Sequence, residues 1–119
     1  MSAITQQKEF QPQGQVSAIL ERGASFEGKL TFEGTVQIGG DFRGEIFTND
    51  TLVINSGAVV SAQVEADCII ICGKVEGNIF ARKKVIMHPP AVFKGTVTTP
   101  SLKIDEGVVF EGASYMPKS

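Results

Sequence analysis

Cys68, Cys72 and His88 are the side chains of this sequence whose types could support nucleophilic or metal chemistry. Their spacing argues against it. The cysteines flank an isoleucine run in "DCIIICG", which is neither a C-x-x-C redox pair nor a four-ligand zinc set. Strand alternation puts both on the side opposite Ile69 and Ile71, as reduced structural thiols. His88 is the only histidine and stands in His88-Pro89-Pro90, a corner sequence where a solvent-exposed turn residue is expected. One corner histidine cannot build a three-histidine zinc site, and no serine–histidine–acid set can be placed. "GDFRGE" has glycines but opens no helix, so it makes no phosphate cradle. The expectation is no catalytic, cofactor-binding or metal-binding residue.

Composition narrows the class further. The chain has 119 residues, enough for one core, with 42% hydrophobic and 20% charged residues. A formal charge of −2 gives no electrostatic footprint for nucleic acid. The sequence has neither an apolar run long enough for a transmembrane helix nor a signal-peptide core, so a cytoplasmic location is expected.

The elements that carry these residues repeat. Gly28, Gly44, Ala62, Gly77, Gly95 and Gly112 recur at intervals of 15 to 18 residues. Two positions before each stands Phe26, Phe42, Val60, Val75, Phe93 or Phe110, and two positions after five of them stands Leu30, Ile46, Val64, Ile79 or Val97. Between these anchors, pairs such as Val36/Ile38, Ile69/Ile71 and Leu102/Ile104 alternate with polar residues. Both patterns have period two, that of strands with one buried face. A unit this short fits one coil of a β-solenoid with three sides around a dry core. On this reading the anchor glycine points inward and makes room for larger neighbours, and alanine should be tolerated at Gly77 because Ala62 fills the equivalent place. Gly73, by contrast, is read as a corner glycine chosen for its backbone angles. Spacers of four or six residues from the end of each pair to the next Phe or Val preserve the alternation, since a shift of one would turn every side chain over.

Outward positions stack from coil to coil. Glu27 faces Arg43, Lys29 faces Glu45, and Lys94 lies between Glu76 and Glu111, an alternation that reads as a solvated surface. Val53, Ile70 and Ile86 form an outward apolar stripe, a candidate lateral or membrane contact. The ends lack evident caps. The first coil offers Ala18, Leu20 and Phe26, and the last offers Leu102, Ile104, Val108 and Phe110. Open ends of this kind invite stacking by another copy. A competing reading has Tyr115 and Met116 folding back over Phe110 to seal the end.

The units "VQIGGDFRGEI", "LVINSGAVVSAQV", "IIICGKVEGNIFARKKVIM", "AVFKGTV" and "LKIDEGVVFEG" together resemble the bactofilin domain over about residues 18 to 114. The resemblance implies an all-β, right-handed, triangular parallel β-helix of about six coils. It implies a bacterial cytoskeletal scaffold that polymerises end to end without nucleotide and supports cell shape, envelope or polar organisation, often at the inner face of the membrane. Self is then the main partner, with envelope or cell-shape proteins as further ones. Residues 1–17 read as a disordered tail and 115–119 as a short C-terminal tail. The first of these departs from many relatives: Ile4 and Phe10 make only a weak membrane anchor. The alternative class is a non-polymerising solenoid that binds a partner protein or glycan on one face.

Overall fold

The computed structural model describes the backbone of residues 17–115 and the side chains of residues 19–115. Ten strands follow one another: β1 (Ser17–Leu20), β2 (Ser25–Phe32), β3 (Thr35–Ile38), β4 (Asp41–Thr48), β5 (Thr51–Ile54), β6 (Val59–Ile71), β7 (Lys74–Met87), β8 (Val92–Thr98), β9 (Leu102–Ile104) and β10 (Val109–Tyr115). Every pairing among them is parallel. Each strand pairs with the equivalent segment one coil away, so the chain winds as a β-solenoid of six coils. The strands reach Ser17 and Tyr115, one residue beyond the sequence-based domain at either end.

The register places like residues over like. Phe26 pairs with Phe42, Phe42 with Val60, Val60 with Val75, Val75 with Phe93, and Phe93 with Phe110. A second inward row runs Leu20, Ile38, Ile54, Ile71, Met87, Ile104. In the middle coils these side chains are fully buried in one continuous core. Burying one such side chain contributes about 1.5–3 kcal/mol, which is why the alternation holds its register. Thr48 and Thr99 are the buried polar residues of the core, and each bonds locally. The Thr48 hydroxyl donates to the Gly34 carbonyl at 2.6 Å, and that of Thr99 donates to the Ser101 carbonyl at 3.1 Å.

The anchor glycines correct the sequence reading. They do not point into the core between larger residues. They are the bends at which each long strand passes from one side of the coil to the next. Gly28, Gly44, Gly77, Gly95 and Gly112 all have φ between +128° and +143°, a region L-residues rarely adopt. A methyl group on Gly77 would overlap the Ala62 carbonyl of the preceding coil. Ala62 does not share this geometry, for no non-glycine residue among those described has positive φ. The paired positions of β6 and β7 run from Ser61 with Glu76 to Val64 with Ile79, skipping Ala62 and Gln63. Ala62 is therefore no precedent for alanine at Gly77. Gly73 likewise differs from expectation: its φ is not positive, but a Cβ there would overlap the Asn55 carbonyl.

The spacer lengths have a simple origin. Six-residue spacers form four-residue turns, closed by Ala24 donating to Glu21 (3.0 Å), Ala58 to Asn55 (3.1 Å) and Ala91 to His88 (2.9 Å). Four-residue spacers replace the turn with a tight corner at Gly39-Gly40 and at Cys72-Gly73. The tight corners nest under the turns, with Asp41 donating to Ala24 and Lys74 to Ala58.

Two predictions follow from burial and from the corner. Ile71→Asp places an unpaired charge in the closed core and should cost several kcal/mol, whereas Lys103→Asp, on an exposed position, should be nearly neutral. Circular dichroism melts check the pair, and equal melting would refute the register. Gly77→Ala should lower stability by about 1–3 kcal/mol or more, through both backbone strain and overlap. A Gly77→Ala protein that melts like wild type would restore the inward-glycine reading.

Candidate polymer interface

The two ends of the solenoid differ from its middle. β1 pairs only with β3 and β2 only with β4; β9 pairs only with β7 and β10 only with β8. Each therefore keeps a row of backbone groups without a strand partner among the described residues, and such a row can template pairing with another chain.

Apolar side chains accompany these edges. In the last coil Leu102, Val108 and Phe110 are half-buried against the core, and Ile104 is 40% exposed. Ile104 continues the row of Ile54, Ile71 and Met87, so it has a core residue on one side and, among the described residues, no coil on the other. Phe110 stacks on Phe93 with ring centroids 5.3 Å apart. In the first coil Phe26 stacks on Phe42 at 5.1 Å. Both ends thus carry a stacked phenylalanine pair, and smaller valines fill the same row between them. Ala18 is placed by its backbone pairing with Val36. Leu20 differs from the open-end expectation. Its pairing with Ile38 turns it inward, and it is only 4% exposed. Ile19 and Val109, exposed apolar residues at the two ends, were not singled out from the sequence. Their outward alternation places them outside the core pattern used to read the ends.

Tyr115 does not seal the last coil. It continues β10, pairs with Thr98 and projects from the side of the solenoid, 59% exposed. Met116 lies outside the described residues, as do Ile4 and Phe10.

The sides carry the remaining candidates. Val53, Ile70 and Ile86 lie in one row, between Gln37 and Lys103, and are half-buried by one another. Cys68 and Cys72 flank that row as free, half-buried thiols. His88 is less exposed than a plain turn residue. Its Nδ1 lies 2.6 Å from Asp105 Oδ2 of the next coil, an inter-coil contact that secures the corner. No hydrogen bond joins Cys72 to His88, and no group of three metal-ligating side chains occurs among the described residues. No helix there is long and apolar enough to cross a membrane.

Of the facing charges, Glu27 with Arg43 and Lys94 with Glu76 and Glu111 share register, but only Lys29–Glu45 closes to ion-pair distance, at 4.0 Å. The strong network was not read from the sequence. Arg82 bonds Asp67 at 2.6 Å, Glu65 at 2.9 Å and the Thr48 carbonyl at 3.1 Å, and its guanidinium lies 5.6 Å from the centre of the Phe47 ring. Arg82 sits where β7 gains a residue relative to β6, between Ala66 and Cys68. A bulge of this kind re-aims a side chain, and no residue type announces it. Beside it a groove of ≈ 940 Å³ runs along one side, with Phe47, Phe80 and Tyr115 in one outward row.

Comparison with known proteins gives this geometry its context. The family model "Bactofilin: Polymer-forming cytoskeletal" matches residues 18–115. The chain is 29% identical to bactofilin BacO of Myxococcus xanthus over 86 residues, covering 72% of this chain and 68% of BacO. It is 31% identical to BacP of the same organism over 85 residues, which is 71% of this chain and 35% of BacP. Among solved structures, Thermus thermophilus bactofilin in double helical filaments superposes with a TM-score of 0.77 at 28% identity, over 82% of this chain and 96% of that one. The cytoskeletal bactofilin BacA gives a TM-score of 0.78 at 27% identity, over 88% and 100%. This six-coil parallel solenoid, matched along nearly its whole described length, belongs to the bactofilin family of polymer-forming cytoskeletal proteins.

Proposed function

We propose that this chain assembles end to end, like end meeting like end, into filaments without polarity and without nucleotide. The observation that carries the reading is the last described coil, where Ile104 and Phe110 continue core rows that no further coil covers among the described residues. Stacking a second copy satisfies both the edge backbone and the apolar surface at once. Leu102 and Val108 extend the C-terminal contact; Phe26, together with the strand edge that carries Ala18 and Leu20, forms the N-terminal one. The filament acts as a cytoplasmic scaffold for cell shape or for envelope or polar organisation, with envelope proteins as clients. It is a structural polymer rather than an enzyme and needs no cofactor. A non-polymerising binding module is not favoured for a member of a polymer-forming family.

Membrane contact in this reading is weak and peripheral. Ile4 and Phe10 supply one apolar signal, and the stripe of Val53, Ile70 and Ile86 supplies a second, or else a lateral contact between filaments.

Two experiments test these assignments. Phe110→Arg should yield folded, soluble monomers or dimers by light scattering and electron microscopy, with the β-sheet dichroism retained. Ile104→Arg, at a more exposed site, should do the same with less risk to the fold. Filaments of normal length from both folded variants would remove the C-terminal coil from the contact. Replacing Val53, Ile70 and Ile86 together by Lys should leave single filaments intact while reducing bundles or liposome co-sedimentation. Unchanged bundling and lipid binding would reduce the stripe to ordinary surface.

A further inference from the structure

The groove beside Arg82 has a periodicity that the polymer contact does not use. Phe47 pairs with Glu65, Glu65 with Phe80, Phe80 with Thr98, and Thr98 with Tyr115. The three aromatic residues therefore stand on every second coil. With coils about 4.8 Å apart, successive rings recur about every 9.6 Å along the axis. The floor is the extended strand backbone at Ile46, Val64 and Ile79, whose side chains are buried in the core beneath it. The far wall carries amides and a hydroxyl from Gln63, Asn78 and Thr96.

We propose that this groove binds a proline-rich segment of a partner protein in the polyproline II conformation. That helix rises about 3.1 Å per residue with three residues per turn, so one face repeats about every 9.3 Å. The match to the aromatic spacing keeps successive prolines of a P-x-x-P segment over successive rings. An extended β-strand repeats its face roughly every 6.6 Å and an α-helix about every 5.4 Å, and both fall out of step. The charges also fit an uncharged occupant. Each charged residue that lines the groove is already paired within the chain: Lys29 with Glu45, and Glu65 with Arg82. A polyproline II backbone has no internal hydrogen bonds, so its carbonyls need donors, which the Gln63 and Asn78 amides and the Thr96 hydroxyl can provide. The groove reaches from the first coil to the sixth, about 24 Å, which accommodates roughly eight such residues. Aromatic-lined grooves that read proline in this way recur in peptide recognition.

The test uses the full-length protein and a fluorescein-labelled decaproline peptide, read by fluorescence anisotropy. Wild type should bind saturably. Phe80→Ala should weaken binding about tenfold or more, as expected for an aromatic anchor. Phe80 is an outward residue, 41% exposed, so the variant should keep its melting curve and its filaments. Lys103→Ala, at an exposed position on another side of the solenoid, should bind as wild type does. Absence of binding at millimolar peptide, or equal binding by wild type and Phe80→Ala, overturns the proposal. So does capture of a chito-oligosaccharide in place of the peptide, which would make the groove a glycan site. Loss of filament bundling in Phe80→Ala, without peptide binding by wild type, overturns it in favour of a contact between copies.

Discussion

Every coil is held by its neighbouring coils, through inter-coil backbone hydrogen bonds and stacked core side chains. That single constraint explains the sequence. Because bonding partners are one coil apart, a residue is surrounded along the axis by its counterparts in neighbouring repeats. Each inward row must therefore tolerate its own kind, and the rows of isoleucine, valine and phenylalanine do so. Solenoids of this kind are stabilised as a sum of nearest-neighbour interfaces, so the ends are the least supported parts of the fold. The same coupling makes an uncovered end coil a template for its own continuation.

The solenoid was legible because period-two alternation survives variation in corner length. Insertions of two residues enlarge a turn without turning over a single side chain, so Val36/Ile38 and Ile69/Ile71 announce the same inward face across unequal coils. The end residues were legible for the same reason, since Phe110 and Ile104 are the last members of rows that can be counted. The corner was not. A glycine with apolar residues two positions before and after it looks the same whether it points inward or bends the chain, because alternation specifies faces and not φ. Only the backbone angle and the carbonyl of the coil behind it distinguish the two at Gly77.

Charge was the least legible layer. Facing charges were read from stacking alone, yet most of the exposed pairs share register without closing, in keeping with the small energy such pairs contribute at a surface. Arg82 reaches three partners because an extra residue in β7 aims it back over the two preceding coils, and that irregularity has no signature in residue type. Its contact with the Phe47 ring also links the ion network to the aromatic row. The least regular coil thus borders the most distinctive surface of the molecule.

The direction of the inter-coil hydrogen bonds has a mechanical consequence. They run along the solenoid axis, so tension on a filament loads them as rungs in series, with the covalent winding of the chain as a safety line inside each subunit. Arg82 adds a strut across two coil steps, from Thr48 to its own coil, and stiffens the middle. In the end-to-end arrangement proposed above, a joint between stacked subunits has the rungs and the apolar contact but no covalent winding. A filament of this construction yields at its joints while its subunits stay folded, so severing under load releases pieces whose ends remain competent to rejoin.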